Sequence, residues 1–171
     1  MLTIVFLVIQ VFFAIFLLFT IIALVSGAPF VPSSDDVTQT MVDLATIKPG
    51  MKIYDLGSGD GRVLLAAAAQ GATAVGAEIN PFVALGSLIR ILSSSHRAQV
   101  RVLWKNLWNV DVSDADVVFV YLLPWHMEKL KAKLKKELRK GTLVVSNSFI
   151  FPHWKILRQD AENHVYVFRK S

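Results

Sequence analysis

The chain has 171 residues, of which 54% are hydrophobic, and its 18 Lys and Arg exceed its 13 Asp and Glu to give a net charge of +5. This length is typical of one domain. Because the chain contains no cysteine, disulfide scaffolds, Cys-ligated zinc or iron–sulfur centres and thiol nucleophiles are excluded, and no metal centre is expected.

Residues 1–25 are predicted to form a single transmembrane anchor. They include 22 apolar residues and no charge, and a span requires about 20 such residues. A cleaved signal peptide is an alternative, because small residues at 23–28 would permit cleavage, but it normally has a basic start and a shorter apolar core. A buried core helix is a third interpretation, and an uncharged terminal run of this length fits it poorly. The sequence favours the uncleaved anchor.

Residues 26–34 are predicted to be a linker, because Pro29 and Pro32 prevent the helix from continuing. The linker could be a plain spacer or could fold over a neighbouring site as a lid. The remaining segment, 35–171, is predicted to be one folded domain.

The domain is predicted to begin with a helix that Ser34 or Asp35 caps and that segment 48–50 ends. Its core stripe has helical spacing and comprises Val37, Met41, Leu44 and Ala45.

Short apolar strands then alternate with helices. Strands are predicted at 51–55, 73–78, 100–104, 116–121 and 142–146. Helices are predicted at 63–70, 81–93 and 124–140. A closing antiparallel hairpin is predicted from 154–158 and 164–169. This order predicts an α/β fold with a mainly parallel sheet and right-handed crossovers.

Segment 54–62, YDLGSGDGR, lies between the first strand and the following helix. Small residues there let the backbone approach a ligand, and the helix N-terminus offers free N–H groups. A dinucleotide fingerprint would need Gly where Arg62 stands, and the Lys of a Walker loop is missing. Glu78 follows 19 residues after Gly59, where an acidic residue can accept hydrogen bonds from ribose hydroxyls. A generic turn remains the alternative.

Segment 55–62 resembles motif I of class I S-adenosylmethionine-dependent methyltransferases, and Glu78 in segment 77–81 resembles their post-I acidic residue. The whole chain resembles the family in which a hydrophobic segment and a Pro-Phe-Val-Pro-Ser stretch precede this domain. That family includes archaeal protein-lysine methyltransferases and mitochondrial lysine methyltransferases of membrane-embedded carriers and ATP synthase subunits. The resemblance implies a Rossmann-like sheet, S-adenosyl-L-methionine as cofactor and a protein lysine as acceptor.

The resemblance also implies which residues bind the cofactor. Asp55 would hold its ammonium group and Glu78 its ribose, while Asn106 and Leu107 would frame the adenine. Family members often carry Asp at the position of Asn106, so this sequence departs from the pattern there. The residues that would pack under the methionine part of the cofactor are Gly57, Ser58, Gly59 and Gly61.

The acceptor is expected at the loop after the fourth strand, and the candidate catalytic residues there are Tyr121, Leu123, Pro124 and Trp125. A lysine with a pKa of about 10.4 must lose a proton before it attacks. The Tyr121 hydroxyl and backbone carbonyls near Leu123 could accept hydrogens from the amine. Trp125 could face a methylammonium product through its ring, or it could be a packing residue. His126 is a weaker candidate for a base, since a lone histidine near a helix start is more often structural.

The helix predicted at 124–140 contains a strongly basic segment, 128–140. Its seven Lys and Arg and two Glu give this segment a net charge of +5. It is either a solvated outer face or a surface for anionic lipid headgroups. No nucleic acid is expected as a partner, because aromatic residues do not interleave with these cations.

The sequence therefore predicts a single-pass, membrane-anchored methyltransferase. Its domain should face the cytoplasm, or an equivalent interior, where the cofactor is available. The positive-inside rule gives almost no information on this orientation. It counts Lys and Arg close to the span, and the first cation after the span is Lys48. The expected acceptor is a lysine of a protein in or near the membrane. The alternatives are a lipid or small-molecule methyltransferase and a non-catalytic, anchored cofactor-binding module.

Overall fold

A computed structural model describes residues 1–171, except for the side chain of Ser26. Its helices are α1 (Leu2–Ser26), α2 (Asp35–Ala45), α3 (Arg62–Ala69), α4 (Pro81–Leu92) and α5 (Pro124–Glu137). Its strands are β1 (Lys52–Leu56), β2 (Thr73–Glu78), β3 (Val100–Trp104), β4 (Val117–Val120), β5 (Leu143–Asn147), β6 (Ile156–Asp160) and β7 (Val165–Arg169).

The seven strands form one sheet in the order β3-β2-β1-β4-β5-β7-β6. The first five strands are parallel, and β7 pairs antiparallel with both β5 and β6. The predicted mainly parallel sheet with a closing antiparallel hairpin is thus confirmed. The strand order reverses between β1 and β4, which is where open α/β sheets bind ligands.

Two apolar clusters cover the two faces of the sheet. The cluster on one face combines α2 and α3 with Ile91 of α4. The cluster on the other face contains Leu130 and Leu134 of α5, together with Leu138 just after that helix. Helices α4 and α5 therefore lie on opposite faces of the sheet. Side chains buried on both faces are what the continuous apolar runs of the parallel strands require.

Three elements have a boundary that differs from the sequence prediction by two or more residues. Helix α2 begins at the predicted cap, where Ser34 accepts a hydrogen bond from the backbone N–H of Val37, but it ends at Ala45 because Thr46 has a left-handed conformation. Helix α5 ends at Glu137 rather than at residue 140, because Leu138 is already extended. Trp154 lies before the hairpin, and its ring packs 5.1 Å from Phe151.

Helix α1 has 25 residues, and within the described chain its segment Leu2–Val25 is the one helix long and apolar enough to cross a membrane. A signal sequence near the N-terminus can pass the same test of length and composition. One side of α1 packs on the domain. The ring of Phe82 lies 5.1 Å from Phe12 and 5.8 Å from Phe16, and Phe19 lies 6.4 Å from Trp104.

Candidate active site

A cavity of about 630 Å³ opens at the carboxyl edge of the sheet, beside the point where the strand order reverses. The loops after β1, β2 and β4 form its floor and sides. Segment 28–33 and the second half of α1 form another part of the wall, the latter through Phe16, Thr20 and Ala23. The volume is in the range of small-molecule and cofactor sites.

The glycine loop after β1 is held rigidly against β2. The backbone N–H groups of Gly57 and Ser58 donate to the carbonyl of Ala77 at 2.9 and 3.0 Å. Gly57, Gly59 and Gly61 all have positive φ angles, which glycine adopts without steric cost. Gly61 caps α3 and packs behind the loop, where an added Cβ would lie 2.5 Å from the Ser87 hydroxyl. Of the loop residues, Gly57, Ser58, Gly59 and Asp60 line the cavity, whereas Gly61 does not.

Glu78 ends β2 with both carboxylate oxygens fixed by the backbone. One oxygen accepts from the N–H of Gly59 at 3.1 Å and the other from the N–H of Asn80 at 2.8 Å. Burial raises the pKa of Glu78, and these hydrogen bonds oppose that rise. A carboxylate oxygen has two lone pairs, so Glu78 can still accept hydrogen bonds from a ligand in the cavity.

Asp55 is the unsatisfied charge of the site. It is 6% exposed and lines the cavity. Its carboxylate makes no hydrogen bond or ion pair with the described residues. Burial, followed by repulsion from Glu78 and Asp60, raises its pKa to about 7. A buried carboxylate without a partner is costly, and a cationic ligand group would relieve that cost.

Arg62 connects the glycine loop to the linker. Its guanidinium donates to Asp60 at 2.8 Å and to the backbone carbonyl of Ser33. Burial tends to raise the pKa of Asp60, but the hydrogen bonds from Arg62 outweigh it and hold that pKa low. On the other side, Asn147 at the end of β5 donates to the Ser33 hydroxyl at 3.0 Å. The residue that breaks the dinucleotide fingerprint thus ties the linker to the site, which the sequence did not reveal.

Phe30 forms part of the cavity roof. An added Cβ on Gly59 would lie 2.9 Å from the Phe30 ring, so the two residues are in direct contact across the opening. Gly27 packs closely against the loops after β3 and β4. An added Cβ on Gly27 would lie 2.9 Å from Leu122 and 3.2 Å from Leu107. The end of α1 and the linker therefore cover the loops that hold the candidate site residues.

The remaining predicted residues divide into two groups. Asn106, Leu107, Tyr121 and Leu123 line the cavity, and the Asn106 side chain accepts from the N–H of Trp108 at 3.1 Å. Pro124 and Trp125 begin α5 outside the cavity, and Trp125 is 67% exposed. The ring of His126 lies 6.0 Å from Trp108 and 6.1 Å from Trp125, and its buried Nε2 has no partner among the described residues.

A model of the ANTKMT methyltransferase domain matches residues 55–158, which include the glycine loop, Glu78 and the loop after β4. The chain belongs to this methyltransferase family. Its relatives include a protein-lysine N-methyltransferase of Saccharolobus islandicus, 37% identical over 132 residues that cover 76% of this chain and 82% of the relative. A human lysine N-methyltransferase of an ATP synthase subunit is 35% identical over 126 residues, 74% of this chain and 54% of the relative. This chain thus spans about half the length of the human enzyme.

A solved structure with the same fold is an RNA methyltransferase of Salinibacter ruber in complex with S-adenosyl-L-homocysteine. It is 36% identical, has a TM-score of 0.76, and the match covers 82% of this chain and 92% of that one. These comparisons show that the chain is an S-adenosylmethionine-dependent methyltransferase. The cavity fits that cofactor: its volume suffices, Asp55 offers an unpartnered carboxylate for an ammonium group, and Glu78 offers fixed oxygens for hydroxyls.

Proposed function

We propose that this methyltransferase is anchored in a membrane by α1 and modifies lysine side chains of a protein in or beside that membrane. The observation that carries the proposal is the shared wall of the cavity. Phe16, Thr20 and Ala23 of α1 line the same cavity as Gly59 and Glu78. An acceptor that reaches the cavity must therefore approach close to the helix that would cross the bilayer.

The names of the relatives support the acceptor. The Saccharolobus islandicus relative is a protein-lysine N-methyltransferase. The human relative acts on an ATP synthase subunit, and a mouse relative acts on the adenine nucleotide translocase. The domain is proposed to face the cytoplasm or an equivalent interior, where S-adenosylmethionine is available.

When bound, S-adenosylmethionine supplies an activated methyl group on a sulfonium. The residues of this chain have three tasks: to hold the cofactor, to aim the acceptor and to exclude water. Asp55 would neutralise the ammonium group and Glu78 would accept from the ribose hydroxyls. Asn106 and Leu107 lie where the adenine would be framed, and the cavity wall continues from them into the loop after β4.

The acceptor amine must arrive neutral, since a protonated lysine has no free electron pair. Tyr121 is half-buried on the cavity wall with its ring stacked on Phe149 at 6.5 Å, and its hydroxyl would accept a hydrogen from the amine. The carbonyl of Leu123 accepts from the N–H of His126 at 3.0 Å, and its second lone pair would accept a further hydrogen from the amine. We therefore assign the positioning role to Tyr121 and the Leu123 carbonyl together. Pro124 would fix the start of α5, and Trp125, outside the cavity, would meet the acceptor protein.

The acceptor can be tested with the full chain in lipid vesicles, incubated with methyl-labelled S-adenosylmethionine, membrane protein, lipid and RNA. We expect label in protein that yields methyl-lysine on acid hydrolysis. Glu78→Ala serves as the inactive control. Label in the lipid extract would instead support a lipid methyltransferase. Label in RNA would instead support an RNA methyltransferase, the activity that the name of the Salinibacter ruber protein gives. No label in any fraction, with cofactor bound, would support a non-catalytic module.

We also propose that linker 26–34 is a lid over the cofactor. Phe30 contacts Gly59, while Arg62 and Asn147 hold Ser33 from two sides. Phe30→Ala should speed cofactor dissociation about tenfold. The change exposes apolar surface of the bound cofactor to water, and burial of that surface stabilises the complex by roughly 1–2 kcal/mol. Stopped-flow displacement of a fluorescent cofactor analogue measures this rate. Leu157→Ala, at an exposed position of β6 outside the cavity, is the matched control. Equal rates for the two variants would leave the linker a plain spacer.

A further inference from the structure

The outer face of α4 is an exposed apolar stripe. Leu85, Leu88, Ile89 and Leu92 are 56%, 46%, 60% and 57% exposed. They recur at helical spacing, while the opposite side of the same helix is buried through Ala84, Ser87 and Ile91. Isolated exposed apolar residues are normal, but a contiguous row on one helix marks a surface that another phase or molecule covers.

The stripe is continuous with α1. Phe82, in the first turn of α4, packs against Phe12, Phe16 and Phe19 of α1 at 5.1, 5.8 and 6.4 Å. Trp104 extends the surface at the end of β3. It is 66% exposed, and its indole N–H donates to the backbone carbonyl of Ile79 at 2.9 Å. Tryptophan with an apolar face and a satisfied N–H is typical of membrane–water interfaces.

The dimensions of α1 require this surface to meet lipid if α1 crosses a bilayer. The ten residues of α1 before Phe12 measure about 15 Å, and a hydrocarbon core is about 30 Å thick. The first ring contact of α1 with the domain is that of Phe12 with Phe82. The part of α1 that touches Phe82 must therefore lie within the hydrocarbon, and it carries the start of α4 with it.

The charges around the stripe fit an anionic surface. Residues 79–110 contain four cations, Arg90, Arg97, Arg101 and Lys105, and no Asp or Glu. Arg90 pairs with Asp60 at 3.0 Å. The other three are exposed, and each such cation near a bilayer surface contributes about 1 kcal/mol.

Several cations of segment 128–140 form hydrogen bonds within the domain. Lys131 donates to the carbonyl of Pro152 at 2.6 Å, Lys133 to that of Val110 at 2.6 Å, and Arg139 to that of Asp114 at 2.9 Å. Lipid contact by segment 128–140 stays a prediction. These contacts, and the position of α5 on the opposite face from α4, favour α4 as the lipid-facing element.

We propose that α4 is an interfacial helix that lies in the bilayer surface beside α1. Its apolar stripe enters the acyl region, and Arg97, Arg101 and Lys105 contact the phosphates of anionic lipids. The proposal rests on the membrane anchoring proposed above and adds the orientation of the domain. It places Phe16 of the cavity wall in the outer hydrocarbon and Thr20 and Ala23 near the level of the headgroups, so that the accessible acceptor lysines are those close to the bilayer surface.

The absence of cysteine from the chain allows a direct depth measurement on the full chain. Single cysteines at Leu85→Cys and Ile89→Cys would carry an environment-sensitive fluorophore, with Ala132→Cys on the exposed face of α5 as the matched control and Ile9→Cys in α1 as the anchor control. The vesicles would contain equal parts phosphatidylcholine and phosphatidylglycerol, with a lipid spin-labelled in its acyl chain. We expect several-fold stronger quenching at positions 85 and 89 than at 132.

The anchor control separates the two proposals. Quenching at position 9 without quenching at 85 and 89 would overturn the interfacial role of α4 and leave the anchor intact. No quenching at position 9 would overturn the anchor and this inference with it, whereas lysine methylation would still be judged by the labelling experiment. A blue-shifted but unquenched signal at 85 and 89 that grows with protein concentration would mean that a second copy covers the stripe, which also overturns the proposal.

Charge reversal tests the headgroup contact. Arg97→Glu with Arg101→Glu should weaken quenching at position 89 in the mixed vesicles but not in pure phosphatidylcholine. The matched pair Lys136→Glu with Lys140→Glu, at exposed positions of segment 128–140, should have no effect. A larger effect from the second pair would assign lipid contact to the basic segment and overturn the assignment to α4. Equal effects from both pairs, or none from either, would likewise overturn the proposed phosphate contacts.

Discussion

Replacing Asp55 with asparagine should stabilise the cofactor-free chain at pH 8 and strongly weaken cofactor binding. The pKa of Asp55 is about 7 in the folded chain and 3.8 in a model compound, so folding favours its neutral form. The stability that this group contributes is complete below pH about 4 and is lost as the pH rises through 7. Above pH 7 the buried carboxylate costs on the order of 4 kcal/mol, which the neutral amide avoids.

Thermal unfolding in detergent at several pH values measures the first effect. We expect Asp55→Asn to raise Tm by roughly 5–10 °C at pH 8, with a smaller gain as the pH is lowered through 7 to 5. Asp43→Asn, at an exposed position of α2, should show no such trend. A constant gain at every pH would mean that ionisation of Asp55 is not its cause.

Calorimetry measures the second effect. An amide cannot neutralise the cofactor ammonium group, so affinity should fall at least about 100-fold, which corresponds to about 3 kcal/mol. For the unmodified chain, affinity should weaken below pH 7, towards about tenfold per pH unit, because binding must then remove a proton from Asp55. Cofactor affinity within about threefold of the original in Asp55→Asn, or no pH dependence in the unmodified chain, would contradict the ammonium contact.

Replacing Glu78 with alanine should reduce cofactor affinity by at least about 100-fold and lower Tm. The change leaves the N–H groups of Gly59 and Asn80 without their acceptors, at a cost of about 1–3 kcal/mol each when buried. It also removes the oxygens that would accept from the ribose. Glu162→Ala, in the exposed β6–β7 turn, should change neither property.

A cofactor analogue without ribose hydroxyls separates the two roles of Glu78. The unmodified chain should bind S-adenosylmethionine much more tightly than the analogue. Glu78→Gln, which keeps one acceptor oxygen and the size of the side chain, should lose most of this preference. If the preference persists in Glu78→Gln, Glu78 only supports the glycine loop and does not contact the ribose.

The parallel core and the glycine loop could be predicted from the sequence. Strands β2 and β3 have the predicted bounds, because each is an apolar run that polar or turn residues interrupt on both sides. The loop at 57–61 and Glu78 meet because carboxyl ends of neighbouring parallel strands share one edge. Local pattern and topology thus bring Asp55, Gly59 and Glu78 to one cavity.

Other features depend on contacts that no local pattern records. Helix α2 stops at Ala45 through a left-handed threonine, a conformation that sequence rarely indicates. Just after α5, Leu138 keeps the spacing of the buried residues Leu130 and Leu134 although the chain there is already extended. The contacts of Phe30 with Gly59 and of Arg62 with Ser33 join segments more than 25 residues apart, and they follow from the path of a proline-rich linker rather than from periodicity.

The proposed anchor helix α1 also forms part of the wall of the cavity. A shortened chain that began after Gly27 would keep every strand of the sheet but would lose Phe16, Thr20 and Ala23 from the wall. Its binding site would become an open basin that admits water and releases ligands quickly. Turnover measured on such a soluble fragment would then understate the intact enzyme, and acceptors that the complete wall rejects would be accepted.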